Sequence, residues 1–77
     1  MTMSKREYLV DKQTMKEIGY ELWKMRVERN MFLHQVTMRT GIPTRDIEGM
    51  EMGRYVRYRY LRGLIAFYGK EMKIMFT

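Results

Sequence analysis

The sequence predicts a mainly α domain: a small bundle of four to five helices followed by a short C-terminal strand. Three observations carry that reading. Apolar residues recur at steps of three and four through residues 14–69, the signature of helix faces turned toward a common core. Asn30, Gly41, Gly53 and Gly69 each follow one of those periodic stretches, as helix stops do. The pattern then changes to strict alternation in the last stretch, "KEMKIMFT".

Residues 1–13, "MTMSKREYLVDKQ", carry no helical stripe and read as an N-terminal arm, or as a short strand over "EYLV". Thr14 and Glu17 have capping-box spacing and predict the start of the first helix, about Met15 to Arg29. Met15, Ile18, Leu22 and Met25 form its apolar face, and Asn30 ends it. Gly19 interrupts this helix at a cost of roughly 1 kcal/mol relative to alanine. A close contact with a neighbouring element would explain its presence.

"FLHQVTMRT" is a short second helix closed by Gly41, with Leu33, Val36, Thr37 and Thr40 on one side. Pro43 suits the start of the next helix, where its missing donor is harmless. Ile47 and Met50 face inward there, and Gly53 closes it. Tyr60, Leu61, Leu64, Ile65 and Tyr68 form a further stripe stopped by Gly69. In residues 70–77, Met72, Ile74 and Phe76 share one face of a predicted strand. That strand either pairs with "EYLV" in the same chain or offers its edge to a second copy.

Composition narrows the function. Seventy-seven residues make one domain, and 45% apolar content is that of a globular chain. No apolar run spans a bilayer and no signal-peptide core is evident, so a cytoplasmic protein is expected. Without cysteine there is no disulfide or thiolate metal site, and neither metal nor cofactor is expected. The catalytic inventory is thin: Ser4, His34, Asp11 and Asp46 are the only serine, histidine and aspartates, so an enzyme is not expected. His34 reads as an exposed helix residue. Fifteen Lys/Arg against nine Asp/Glu, a net charge of +6, call for an acidic partner. The stretch "RYVRYRYLR" concentrates that charge, setting Arg54, Arg57, Arg59 and Arg62 among Tyr55, Tyr58 and Tyr60.

Two segments give this charge a context. "IGYELWKMRVERN" supplies a first helix, and "VTMRTGIPTRDIEGMEMG" supplies two short helices around a turn. Gly41–Ile42, Ile47 and Glu51–Met52–Gly53 fall at the spacing of a turn glycine, apolar residue, buried isoleucine and terminal Glu-x-Gly. From Ile18 to Gly69 the chain resembles the Xre/Cro/cI-type helix-turn-helix family, with its phage-repressor-like DNA-binding fold. The resemblance implies double-stranded DNA as partner and a recognition helix over about 44–52. Ile47 and Met50 would anchor that helix, leaving Thr44, Arg45, Asp46, Glu48 and Gly49 on its outer surface. Base contacts are then expected at Thr44, Arg45, Asp46 and Gly49, with the Arg45 fork suited to guanine O6 and N7. Phosphate contacts are expected from Arg54, Arg57, Tyr58 and Arg59, in the loop after that helix. Tyr60 and Tyr68 are assigned to the core stripe, and Tyr55 and Tyr58 to the surface.

The resemblance also implies that Arg26, late in the first helix, pairs with Glu51. The chain departs from the family pattern at "MFLHQ", where Phe32 and Leu33 replace a polar cap and Gln35 is displaced by two positions. Thr37 stands where a small alanine is usual. A transcriptional regulator of the repressor type follows, expected as a homodimer through Met72, Ile74 and Phe76. The alternative is a protein-interaction module on the same fold, binding an acidic protein as an antitoxin binds a toxin.

Overall fold

The computed structural model describes residues 11–54 and 57–69. Both expected strands, with Met72, Ile74 and Phe76, lie outside the described residues, as does Tyr55. Among these residues four helices follow in order: α1 (Lys12–Glu28), α2 (Leu33–Thr40), α3 (Thr44–Glu51) and α4 (Tyr58–Phe67). No strand occurs among the described residues.

The first helix starts earlier than its sequence pattern suggests. Asp11, not Thr14, is the N-cap: its carboxylate accepts from the Thr14 N–H at 2.7 Å. A carboxylate at this position both satisfies an orphan donor and complements the positive end of the helix. That hydrogen bond holds the Asp11 carboxyl below its ordinary pKa. Lys12 and Gln13 therefore join the helix, and Glu17 accepts from Gln13 Nε2 rather than reaching back to a cap.

Two helices end in the same way. Asn30, at φ +55°, donates to the Val27 carbonyl while Met31 donates to Arg26. Gly53, at φ +85°, donates to Met50 while Arg54 donates to Gly49. Both are Schellman closures, in which a left-handed residue lets the chain turn back onto the last carbonyls. A side chain at Gly53 would be strained by its φ and would also run into Lys16. The α2 start lacks a side-chain cap; Gln35 Oε1 accepts from the Phe32 N–H at 2.7 Å and supplies one orphan donor's partner. Gly41, left-handed at φ +79°, turns the chain toward Pro43 and α3.

The buried stripes meet in one core of Met15, Ile18 and Leu22 from α1, Val36 from α2, Ile47 and Met50 from α3, and Leu61, Leu64, Ile65 and Tyr68 around α4. Ile42 seals it beneath the turn. Truncating a fully buried member such as Ile47 or Met50 to alanine costs about 2–5 kcal/mol.

The helices α1 and α3 cross where Gly19 faces the end of α3. A Cβ at Gly19 would collide with the Met50 carbonyl oxygen and lie 2.8 Å from that of Glu51. The glycine is thus required by close approach of two backbones, which outweighs its helix-propensity cost. Beside this crossing the expected pair forms. Arg26 Nε and Nη2 donate to the two Glu51 oxygens at 2.7 and 2.8 Å, and Nη1 donates to the Met31 carbonyl at 2.9 Å. Their side chains are only 14% and 6% exposed. The fork satisfies groups that burial would otherwise strand, so it joins α1, α3 and the turn after α1.

Candidate nucleic-acid interface

Pro43 presets the entry to α3, and its carbonyl accepts from Asp46 and Ile47. This leaves the first turn outward. Thr44 and Arg45 are exposed. The Thr44 hydroxyl lies 2.9 Å from that of Thr37 on α2, tying the tip of α3 to the helix before it. Arg45 has no hydrogen bond or ion pair among the described residues, so its fork is available to an outside acceptor. Asp46 is half-buried in the first turn, where its charge complements the helix dipole.

Gly49 departs from expectation. It is buried rather than on the outer surface. The Schellman return carries Arg54 back over it, and the Arg54 N–H donates to its carbonyl at 2.8 Å. Gly49 is therefore not a base-contact position. Glu48 remains exposed on α3.

The Arg/Tyr stretch is also less of a loop than its composition suggests. Arg57 is the N-cap of α4, and Tyr58 and Arg59 form its first turn. The Arg57 and Arg59 guanidiniums lie 5.8 and 5.9 Å from the Tyr60 ring centroid, within cation–π range. Arg62 lies 5.9 Å from the Tyr58 ring. Tyr60 is half-buried against the core, as assigned, and Tyr58 is half-buried too. Arg54 sits apart, beyond the far end of α3, with Nη2 3.3 Å from Met52 Sδ. The fold thus gathers Arg57 and Arg59 about one ring, and holds Arg45 and Arg54 at opposite ends of α3.

Nothing in its place along the chain singles out Arg39. It occupies the last turn of α2, where a cation ordinarily complements the helix dipole. The fold brings it to an open groove of about 390 Å³ shared with Arg59 and also lined by Ile42, Tyr60 and Phe67. Neither α2 nor α4 contains an Asp or Glu, whereas α1 interleaves Lys12, Lys16, Lys24 and Arg26 with Glu17, Glu21 and Glu28. The basic charge of this small domain is therefore uncompensated along α2 and α4.

A second surface feature lies on α1. Tyr20, Trp23 and Val27 lie at helical spacing on α1 and are 56%, 43% and 44% exposed. The two rings are 5.9 Å apart, and Lys24 Nζ lies 5.7 Å from the Tyr20 centroid. His34 is exposed, its ring stacked against Phe32. No helix among the described residues is long and apolar enough to cross a membrane. Comparison with protein-family models, curated proteins and solved structures finds no match to this chain.

Proposed function

We propose that this chain is a sequence-specific double-stranded DNA-binding protein, a cytoplasmic transcriptional regulator of the repressor type. One observation carries the reading: an exposed Thr44–Arg45 tip at the start of α3 stands beside helices α2 and α4, which carry arginine and no carboxylate. In this reading the first turn of α3 enters the major groove, Arg45 pairs with a guanine edge, and Thr44 and Asp46 contact neighbouring bases. Arg54, Arg57, Tyr58 and Arg59 meet phosphates. The half-buried Arg26–Glu51 fork ties α3 to α1 and so constrains the angle of approach. Two copies would present two tips about 34–36 Å apart, with Met72, Ile74 and Phe76 as the contact. Light scattering checks that assembly, and a monomer at high micromolar concentration removes it.

An unbiased duplex selection followed by mutant binding tests the main reading. Arg45→Ala should relax preference at one base pair by roughly 1–3 kcal/mol, while Arg57→Ala weakens selected and scrambled duplexes alike. Equal losses on both duplexes for Arg45→Ala would take away its base-reading role. A salt-independent affinity would sink DNA as the partner.

The stripe of Tyr20, Trp23 and Val27 favours a second reading, an antitoxin-like interaction module. Exposed aromatic anchors at helical spacing are what a protein partner engages. A Trp23→Ala variant that keeps full DNA affinity and ordinary solution mass, with no partner recovered that depends on Trp23, would dismiss it.

A further inference from the structure

Arg39 and Arg59 come from elements separated by a full helix, yet they line the same groove between the end of α2, the turn and α4. No carboxylate lines that groove among the described residues. The Arg59 guanidinium rests near the Tyr60 ring, an interaction that leaves its forked donors unused. Arg39 has no ion pair or hydrogen bond among the described residues. Two like charges on one groove repel each other, and an anion bound in the groove is attracted to both. The groove is also kept open. Gly63 sits in the middle of α4, where glycine is disfavoured, and a Cβ there would meet only Ile42 Cδ1, at 3.8 Å.

The position relative to the α3 tip decides what kind of anion fits. Gly41 and Ile42 line the groove, and Arg45 follows Ile42 by three residues. Three residues span at most about 11 Å. That is within the width of a major groove, about 12 Å. With the tip seated among bases, a groove within that distance is in reach of a flanking strand. We infer that the Arg39–Arg59 groove is a seat for a backbone phosphate of the same duplex, with Arg39 as a phosphate-binding residue. The inference rests on the DNA-binding reading above. It adds an α2 arginine to the contact set and makes Arg59 one jaw of a two-sided clamp.

The test measures affinity of the full chain for its selected duplex, and for a scrambled one, across a salt series. Arg39→Ala and Arg59→Ala should each reduce the log–log slope by about 0.9, and the double variant by about twice that. Each loss should be about fivefold at physiological salt and equal on both duplexes. Gly63→Glu, which adds a carboxylate to the groove lining, should reproduce the double variant. Lys24→Ala, which removes the same charge from α1, should leave the slope unchanged. Arg39→Lys should keep the slope; because it retains the charge, it separates phosphate binding from any effect of Arg39→Ala on folding, which thermal melting monitors. An unchanged slope in Arg39→Ala and Gly63→Glu, with Arg45→Ala and Arg57→Ala still impaired, overturns the clamp and leaves DNA binding intact. Absence of any salt-dependent duplex binding by the wild-type chain overturns both. In that case a saturable response to inorganic phosphate, lost in Arg39→Ala, would mark the groove as a free-anion site instead.

Discussion

The α1–α3 crossing and the α2–α4 groove make opposite use of arginine and glycine. At the crossing, Arg26 has its charge matched by Glu51 and a further donor placed on a carbonyl, while Gly19 lets two backbones touch. In the groove, Arg39 and Arg59 line one surface with no carboxylate among the described lining residues, and Gly63 leaves space beside Ile42. Identical residue types thus serve closure in one place and access in the other. The difference teaches where to look for function: a compensated polar group is explained by the fold, and an uncompensated one calls for something outside it.

The largest effect should come from breaking the compensated side. Glu51→Ala leaves the mostly buried Arg26 guanidinium without its acceptors and should cost about 3–5 kcal/mol in denaturant unfolding. A cost below 1 kcal/mol would mean that water replaces the carboxylate and that the crossing is not closed. The glycine contrast sharpens the comparison next. Gly19→Ala should cost about 3 kcal/mol, because its Cβ meets fixed carbonyl oxygens. Gly63→Ala should instead gain up to about 1 kcal/mol, since its Cβ meets open space and one flexible methyl. Similar effects at the two sites would abolish the distinction drawn between them.

A smaller effect, read as a slope, concerns Tyr68. Its ring is buried, and its hydroxyl has no hydrogen-bond partner among the described residues. Burial, reinforced by the Glu51 carboxylate, pushes the phenol from 10.0 up to about 12. Between those values the unfolded chain loses its phenolic proton while the folded chain keeps it. Stability should therefore fall with rising pH across that window, by at most about 1.4 kcal/mol per pH unit from this group. Tyr68→Phe should remove that part of the alkaline slope and be no less stable at neutral pH. An unchanged slope in the variant would show that the phenol ionises as readily folded as unfolded.

Much of this was legible along the chain. The stripe from Met15 to Leu22 and the stripe from Leu61 to Tyr68 are both buried as their spacing requires. Asn30 and Gly53 stop their helices because few residues accept a left-handed backbone at low cost. The N-terminal boundary was harder. Asp11 and Thr14 are both good caps three residues apart, and local chemistry alone does not choose between them. The Arg26–Glu51 contact spans 25 residues, and nothing in that separation announces it.

The sequence by itself determined which segments are helical, where most of them stop, and which side of each is apolar. Those properties follow from a 3.6-residue period and from the dihedral preferences of single residues, both local. Only the tertiary structure decided that Gly49 is covered, that Gly19 touches the carbonyls of α3, and that Arg39 shares a groove with Arg59. Each of these depends on how far and at what angle one helix passes another. That geometry is set by the joint packing of all the side chains in the core, and a period read along one helix carries no information about it.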